Sequence, residues 1–374
     1  MARQIQSTVT EDGTVVLSIA DVEVPEPGEH QVVIRVEAAP INPSDLGPMF
    51  GPGDLRTLRS SGEGDDRTLV ADIPEHLRPM VQARVGHSLP MGNEGAGTVV
   101  AAGSSDEAQA LLGKTVATIG GAMYAELRLA PAEQCLVLPD GVSAAQGASC
   151  FVNPLTTLGM IETMRLEGHT ALVHTAAASN LGQMLVKLCL EDDVPLVNVV
   201  RRQEQVDLLA GLGATHVCNS SQDNFVASLT AAVAATDATI AFDATGGGTL
   251  ASQILRAMET AQAEKEGAVG RYGSRRHKQV YVYGGLDRSP TVLDRTYGMA
   301  WSVGGWLLPY FLERVGPERA EQLRQRVAAE ITTTFASSYT ATVSLDEALT
   351  VDAAGAYGRQ ATGEKYLIDP SKSG

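Results

Sequence analysis

No stretch of the chain approaches the ~20 consecutive apolar residues that a bilayer-spanning helix needs, so no membrane partner is expected. The opening segment, MARQIQSTVTEDG, has no apolar core and does not read as a secretory signal. Cysteine is scarce: Cys135, Cys150, Cys189 and Cys218 stand apart, with no Cys-x-x-Cys pair. Such scattered residues cannot supply the four close thiolates of a structural zinc site, and they read as reduced thiols of a cytoplasmic protein. Positive charge is also in deficit, with 28 Lys and Arg against 44 Asp and Glu and a formal net charge of −16. A surface that negative repels phosphate backbones, which argues against nucleic acid as the main partner.

What is present is ordinary globular material, 44% hydrophobic and 19% charged. The 374 residues allow about two domains of ~150 residues, each with its own core. The first third is rich in β-branched residues and turn signals. VTEDGTVVLSIADVEVP predicts a hairpin around Asp12-Gly13, and HQVVIRVEAAPINPSDL places Val32, Ile34 and Val36 on one strand face. GAGTVVAAG, around Val99 and Val100, and a run from Lys114 to Ala130 add further strands. Short strands split by Gly and Pro predict a β-rich, barrel-like domain.

From about residue 146 the rhythm changes. SAAQGASCFVNPLTTLGMIETM has helical spacing, and then strand and helix alternate through HTALVHTAAASNLGQMLVKLCLEDD, PLVNVVRRQEQVDLLAGLGATHVCNS and NFVASLTAAVAATDATIAFDATGGG. QVYVYGGL supplies a later strand. This alternation predicts a parallel sheet covered by helices on both faces, with any ligand at the strands' carboxyl ends. The tail, SLDEALTVDAAGAYGRQATGEKYLID, reads as helix then strand and is expected to rejoin the first domain. Two stretches read as insertions. Leu55 to Pro90, with Arg56, Arg59, Arg67, Arg78 and Arg84, is a surface excursion or a lid over a substrate pocket. Ala261 to Lys278, ending in RYGSRRHK, is a second surface excursion.

The informative piece is LVHTAAASNLGQMLVKL. Ala171 to Val173 should form a strand, Ala177 to Gly182 a turn, and a helix should run from about Gln183. Such a turn can seat a phosphate pair, because the first helical N–H groups lack partners and the dipole's positive end faces them. Small residues let the backbone come close, and Ala177, Ala178, Ser179 and Gly182 are small, although GxGxxG itself is absent. The next strand ends about 20 residues later, where a dinucleotide-binding fold reads the ribose. A carboxylate there would favour NAD. Here stand Arg201 and Arg202, with no acid until Glu204, and guanidinium groups suit the 2′-phosphate of NADP. The bland alternative is a solvated helix start.

The order of motifs resembles the medium-chain dehydrogenase/reductase superfamily, and within it the zinc-independent quinone oxidoreductase and enoyl reductase branch. The resemblance rests on INPSDL at Ile41 to Leu46, GNEGAG at Gly92 to Gly97 and FVNPLTTLGM at Phe151 to Met160. It continues through AAASNLGQM, VVRRQEQ, FDATGGG, YVYGGL at Tyr281 to Leu286 and TGEKYLI at Thr362 to Ile368. It implies an α/β fold: a doubly wound Rossmann sheet over 146–332, and a β-rich GroES-like catalytic domain from 1–145 with 333–374. It also implies a homodimer.

In zinc-dependent members a Cys stands where this chain has Asn42, and a His where it has Asn93. Asparagine is a poor Zn²⁺ ligand. His30, His76, His87, His169, His174, His216 and His277 form no pair at ligand spacing, so no metal is expected. The resemblance puts Asn42 and Asp45 in the motif that faces the nicotinamide, with Asn42 bonding substrate or ribose. Turn-building is the other reading of Asn-Pro-Ser-Asp. Thr157 matches a position near the nicotinamide, or is a helix Thr bonding back to a carbonyl. Ser179, Asn180 and Leu181 should line the pyrophosphate, Thr245, Gly284 and Gly285 the nicotinamide side, and Lys365 matches a lysine near the cofactor. Lys365 could also be plain surface charge.

Without a Lewis acid, the substrate must spread the charge that hydride delivers, which favours quinones and conjugated carbonyls over simple alcohols. Similar enoyl thioester reductases carry a proton-donating Tyr shortly after INPSD; this chain has GPMFGPGD, with Phe50, and Phe donates no proton. Tyr124 is a possible substitute, or a packing residue. The expectation is therefore an NADPH-dependent reductase of quinones or other conjugated carbonyls. An enoyl-thioester or enone reductase and a non-catalytic NADPH-binding protein stand as alternatives.

Overall fold

The computed structural model describes residues 1–267 and 271–372. The second expected insertion, 261–278, therefore lies partly outside the described residues, at Ala268, Val269 and Gly270. Two compact units are present, one built from Met1–Val152 and Arg324–Gly374, the other from Asn153–Leu323. Among the described residues no helix is long and apolar enough to cross a membrane.

In the first unit, β1 (Ala2–Val9) and β2 (Thr14–Val22) form the expected hairpin, with Gly13 at φ +77° in its turn. Then come β3 (Gln31–Pro40), α1 (Pro43–Phe50), β4 (Asp54–Ser61), β5 (Thr68–Asp72), β6 (Ser88–Pro90) and β7 (Glu94–Ala102). After these follow α2 (Asp106–Ala110), β8 (Thr115–Ile119), β9 (Leu127–Pro131), β10 (Leu136–Val137) and α3 (Ala144–Gly147). One antiparallel sheet has the order β4-β5-β2-β1-β6. The stretch from Leu55 to Pro90 is thus no excursion: its strands complete a sheet, and Leu69 and Ala71 are fully buried in the core with Ile5 and Leu17. The run from Lys114 to Ala130 is likewise not one strand. It breaks after Ile119, and Met123, Tyr124 and Ala125 lie buried in the connection before β9. Val32, Ile34 and Val36 share a buried face, as their alternation requires.

The second unit begins in α4 (Val152–Leu166) and runs β11 (Leu172–Thr175), α5 (Asn180–Glu191), β12 (Leu196–Val200), α6 (Gln203–Gly211) and β13 (His216–Asn219). It continues through α7 (Phe225–Thr236), β14 (Ile240–Asp243), β15 (Gly246–Gly248), α8 (Leu250–Glu266), β16 (Lys278–Val282), β17 (Asp287–Thr291), β18 (Trp301–Gly305) and α9 (Leu308–Ala329). Six strands form a parallel sheet in the order β13-β12-β11-β14-β16-β18. This is the doubly wound dinucleotide-fold order, whose topological switch lies between its first and fourth strands, here β11 and β14. Buried Val173, Val197, Leu229 and Ile254 belong to the core against one of its faces. The second expected insertion is in part regular structure, since α8 extends to Glu266 and Lys278 opens β16.

The chain then returns to the first unit as β19 (Ala341–Val343), α10 (Val351–Gly358) and β20 (Tyr366–Ile368), and β20 pairs antiparallel with β3. The second sheet of that unit has the order β10-β8-β7-β3-β20-β19, with β9 also on β3.

Candidate functional site

The turn after β11 has the architecture that small residues allow. The helix starts at Asn180, three residues before the expected Gln183, because Ser179 is its N-cap: Ser179 Oγ accepts the N–H of Gly182 at 3.1 Å. Gly182 is packed so tightly that a β-carbon there would lie 2.1 Å from the carbonyl oxygen of Ala177. Ala176 takes a left-handed conformation, φ +51°, where glycine is the usual occupant. The first-turn residues Asn180 and Leu181 are half-buried.

The neighbouring strand ends gather most of the expected cofactor residues on one edge of the sheet. Arg201 and Arg202 directly follow β12 and are exposed. Their backbone N–H groups both donate to Gln205 Oε1, while the Arg202 guanidinium faces Glu204 at 3.1 Å. Among the described residues no carboxylate pairs with Arg201. After β14, the buried carboxylate of Asp243 accepts from Thr175 Oγ1 at 2.7 Å and from the N–H groups of Thr245 and Gly246 at 2.9 and 3.1 Å. That network fixes the Thr245 turn. Gly284 follows β16, where a β-carbon would stand 2.6 Å from Ala244 O; Gly285 beside it is exposed, with open space around it. Gly284, Tyr283, Trp306 and Tyr310 line a cavity of about 290 Å³. Sequence reasoning missed Tyr283, whose hydroxyl is 2.7 Å from Nε2 of the buried His174. Burial pushes the His174 imidazole down to about 3 and raises the Tyr283 phenol.

Thr157 is placed otherwise. It is fully buried in α4, and its hydroxyl donates to Pro154 O at 2.7 Å, the backward bond of a helix threonine.

A second polar cluster lies in the first unit. Asn42, just before α1, is 1% exposed. Asp45 Oδ2 accepts the Asn42 N–H and Asp45 Oδ1 the Asn93 N–H, each at 2.8 Å, so this carboxylate holds the two motif segments together. Burial pushes Asp45 up to about 7 in spite of those two bonds. Asn42 Nδ2 donates to Glu94 Oε1 at 2.8 Å, and Glu94 Oε2 accepts the N–H groups of Phe151 and Val152 at 2.8 and 2.9 Å. Glu94 is fully buried and its carboxyl is raised by burial. It too was missed. Its only signal was a lone carboxylate inside the glycine-rich GNEGAG. Lys365 is not surface charge: it is buried, its Nζ donates to Ser149 Oγ at 2.7 Å, and burial pushes it down to about 8. Ser149 in turn lies 2.9 Å from the Tyr339 hydroxyl. Tyr124 is fully buried with its hydroxyl on Pro40 O, a structural bond. The side chain of Asn93 donates to Ser44 Oγ. Among the described residues no group of three or more His, Cys, Asp and Glu side chains is placed to hold a metal ion.

A doubly wound parallel sheet together with a separate β-rich unit is the fold of the medium-chain dehydrogenase/reductases. The relatives and structural neighbours of the chain include quinone oxidoreductases and enoyl reductases of that superfamily, and also an NAD-dependent alcohol dehydrogenase of Sulfurisphaera tokodaii, 27% identical over 215 residues. No protein-family model matches the chain. The mitochondrial enoyl-[acyl-carrier-protein] reductase of Xenopus tropicalis is 26% identical over 215 residues, covering 55% of this chain and 53% of the relative. A quinone oxidoreductase of Pseudomonas aeruginosa is 26% identical over 227 residues, covering 60% of each. The chain thus spans about half to three fifths of the length of these curated relatives. Among solved structures, a candidate NADPH:quinone reductase from Mesorhizobium loti superposes with TM-score 0.73 at 28% identity, covering 99% of this chain and 98% of that one. The Escherichia coli quinone oxidoreductase complexed with NADPH superposes with TM-score 0.69 at 16% identity, covering 99% of this chain and all of that one.

Proposed function

We propose that the chain is an NADPH-dependent reductase that delivers hydride to a quinone or another conjugated carbonyl compound without zinc. The observation that carries the reading is the strand-end geometry of the second unit. There, a close-packed Gly182 turn sits one strand from Arg201, a guanidinium with no carboxylate partner among the described residues. The turn's small residues and the positive end of α5 suit a pyrophosphate, and a free guanidinium after β12 suits a 2′-phosphate. Bound there, NADPH would supply the hydride. Ser179, Asn180 and Leu181 would receive the pyrophosphate, Arg201 and Arg202 the 2′-phosphate, and Thr245, Gly284 and Gly285 the nicotinamide side. Lys365 would act from within the first unit, and Thr157 through the shape of α4 more than through its engaged hydroxyl.

Zinc independence rests on side-chain chemistry. Asn42 and Asn93 stand where ligands would be needed, and both turn their amide N–H groups to protein oxygens. Residues 1–145 and 333–374 would then form the catalytic domain, with Asn42 and Asp45 in its site, and 146–332 the cofactor domain. A conjugated acceptor meets the need for an electron sink in the substrate itself. The similarity to enoyl reductases favours a second reading, reduction of an enoyl thioester or enone. Phe50, where such enzymes carry a donor tyrosine, speaks for the quinone. A small-molecule acceptor, a homodimer and a cytoplasmic location complete the proposal, the last consistent with four unpaired cysteines. The test is NADPH oxidation with a benzoquinone or naphthoquinone against a crotonyl thioester. Faster turnover with the quinone supports the reading. Turnover of the thioester alone transfers it to the second, and binding of NADPH without turnover of any conjugated acceptor overturns both.

A further inference from the structure

The Asn42 amide has one end engaged and one end unpartnered. Its Nδ2 donates to Glu94 Oε1, whereas Oδ1 is buried with no hydrogen-bond partner among the described residues. A buried acceptor left unpaired is costly, so its presence needs a reason. Rotating the amide by half a turn would not help, because Oδ1 would then face a carboxylate oxygen. Glu94 cannot yield either. Its Oε2 accepts two backbone N–H groups and its Oε1 the Asn42 N–H, so both oxygens are already engaged as acceptors.

We infer that Glu94 is a positioning residue: it locks the Asn42 amide so that Oδ1 accepts a hydrogen bond from a ligand hydroxyl. Asn42 directly precedes the exposed residues Pro43 and Ser44. The ligand chemistry is an O–H donor. On the reductase reading, two sources offer one: a ribose hydroxyl of the nucleotide, or the hydroxyl of the reduced acceptor. The orientation of the amide does not depend on that reading; the ligand does.

Glu94→Gln makes the lock visible. To keep the N–H groups of Phe151 and Val152, the introduced glutamine must place its single oxygen where Oε2 stands. Its NH₂ then faces Asn42 and turns that amide round, so that an N–H is presented where Oδ1 was. Asn42→Asp alone sets a second carboxylate against Glu94. In the double variant, the introduced aspartate accepts from the introduced glutamine and again presents an oxygen.

The expected stability pattern is a melting temperature lowered by about 3 °C or more in N42D and recovered in N42D/E94Q. The ligand pattern is expected to follow the acceptor. E94Q weakens the ligand step at least about fivefold and the double variant recovers it to within about twofold. If the donor is the ribose, the change appears in the NADPH dissociation constant measured without acceptor. If it is the reduced acceptor, it appears in product inhibition by the hydroquinone, with NADPH binding unchanged. Should E94Q fail to fold, N42A must show the same ligand loss. A double variant no more stable than N42D overturns the lock. E94Q, or N42A in its place, with wild-type binding of both ligands overturns the assigned use. Wild-type protein that binds no NADPH sinks the reductase reading, while the stability cycle still decides the lock.

Discussion

Gly182 and Ala177 stand so close that only a hydrogen side chain fits between them, a β-carbon at 182 falling 2.1 Å from the Ala177 carbonyl oxygen. The obstacle is backbone, not the end of a flexible side chain, so the turn itself must move to accommodate any substituent. Gly182→Ala should therefore cost about 1–3 kcal/mol or more and weaken NADPH binding at least about tenfold. Gly355, inside α10, has no atom within 4 Å of the corresponding position. The same substitution there should stabilise the protein by about 0.5–1 kcal/mol, since alanine loses less backbone entropy in a helix. Urea titrations of both variants check the opposite signs. A tolerated alanine at 182 contradicts the packing.

Arg201 and Arg202 should not be equivalent. Arg202 already faces Glu204, and Arg201 has no acidic partner among the described residues. Arg201→Ala is expected to raise the KM for NADPH about ten- to a hundredfold, and Arg202→Ala by less. Neither should move the KM for NADH by more than about twofold, because NADH lacks the 2′-phosphate. Parallel losses for both nucleotides would remove the assigned role.

How much of this was legible in the chain depends on how local the cause is. The hairpin at Asp12-Gly13 is set by two adjacent residues, and the parallel sheet by a repeating rhythm. Both follow from reading along the sequence. The start of α5 was misjudged by three residues, although Ser179 carries an N-cap signal that could have been read. The stretch from Leu55 to Pro90 looked like a surface excursion because its arginines hide the alternation. Its Leu69 and Ala71 become core only through pairing with β2, a non-local event. Glu94 was illegible for the same reason, since its partners lie 52 and 57 residues away. A lone carboxylate between glycines reads as solvent-facing until the fold closes over it.

The His174–Tyr283 pair offers a test of burial without nucleotide chemistry. Among the described residues, His174 Nδ1 has no partner and Nε2 has only the Tyr283 hydroxyl. Tyr283→Phe would leave a fully buried imidazole with no hydrogen bond, at an expected cost of about 1–3 kcal/mol. His174→Leu alone would deprive the Tyr283 hydroxyl of its partner in the same way, whereas the double variant H174L/Y283F removes both partners and should cost less than the two single variants together. Chemical denaturation of all three variants decides it, and costs that simply add would mean that the pair is unimportant to stability.

Alkaline pH should destabilise the fold through its cysteines. Burial pushes Cys135 and Cys218 up to about 11 from the ordinary 9.0 and also raises Cys150 and Cys189. Above pH 9 the unfolded chain releases these protons while the folded protein retains them, so the unfolded state binds fewer protons and stability falls as pH rises. The contribution is complete below pH 9 and declines toward 11, by at most about 1.4 kcal/mol per pH unit for each thiol. Lys365 acts in the opposite sense. Burial lowers it from 10.5 to about 8, so the cost of keeping it charged is full below pH 8 and is relieved on the way to 10.5. One amine cannot offset four thiols above pH 9. Urea midpoints taken in reducing buffer at about pH 8, 9 and 10 should therefore drop across the last interval. The drop should shrink in C150A/C189A and deepen in K365M, where the opposing amine is gone. A wild-type midpoint that holds or rises to about pH 10 would show that the thiols ionise as readily folded as unfolded.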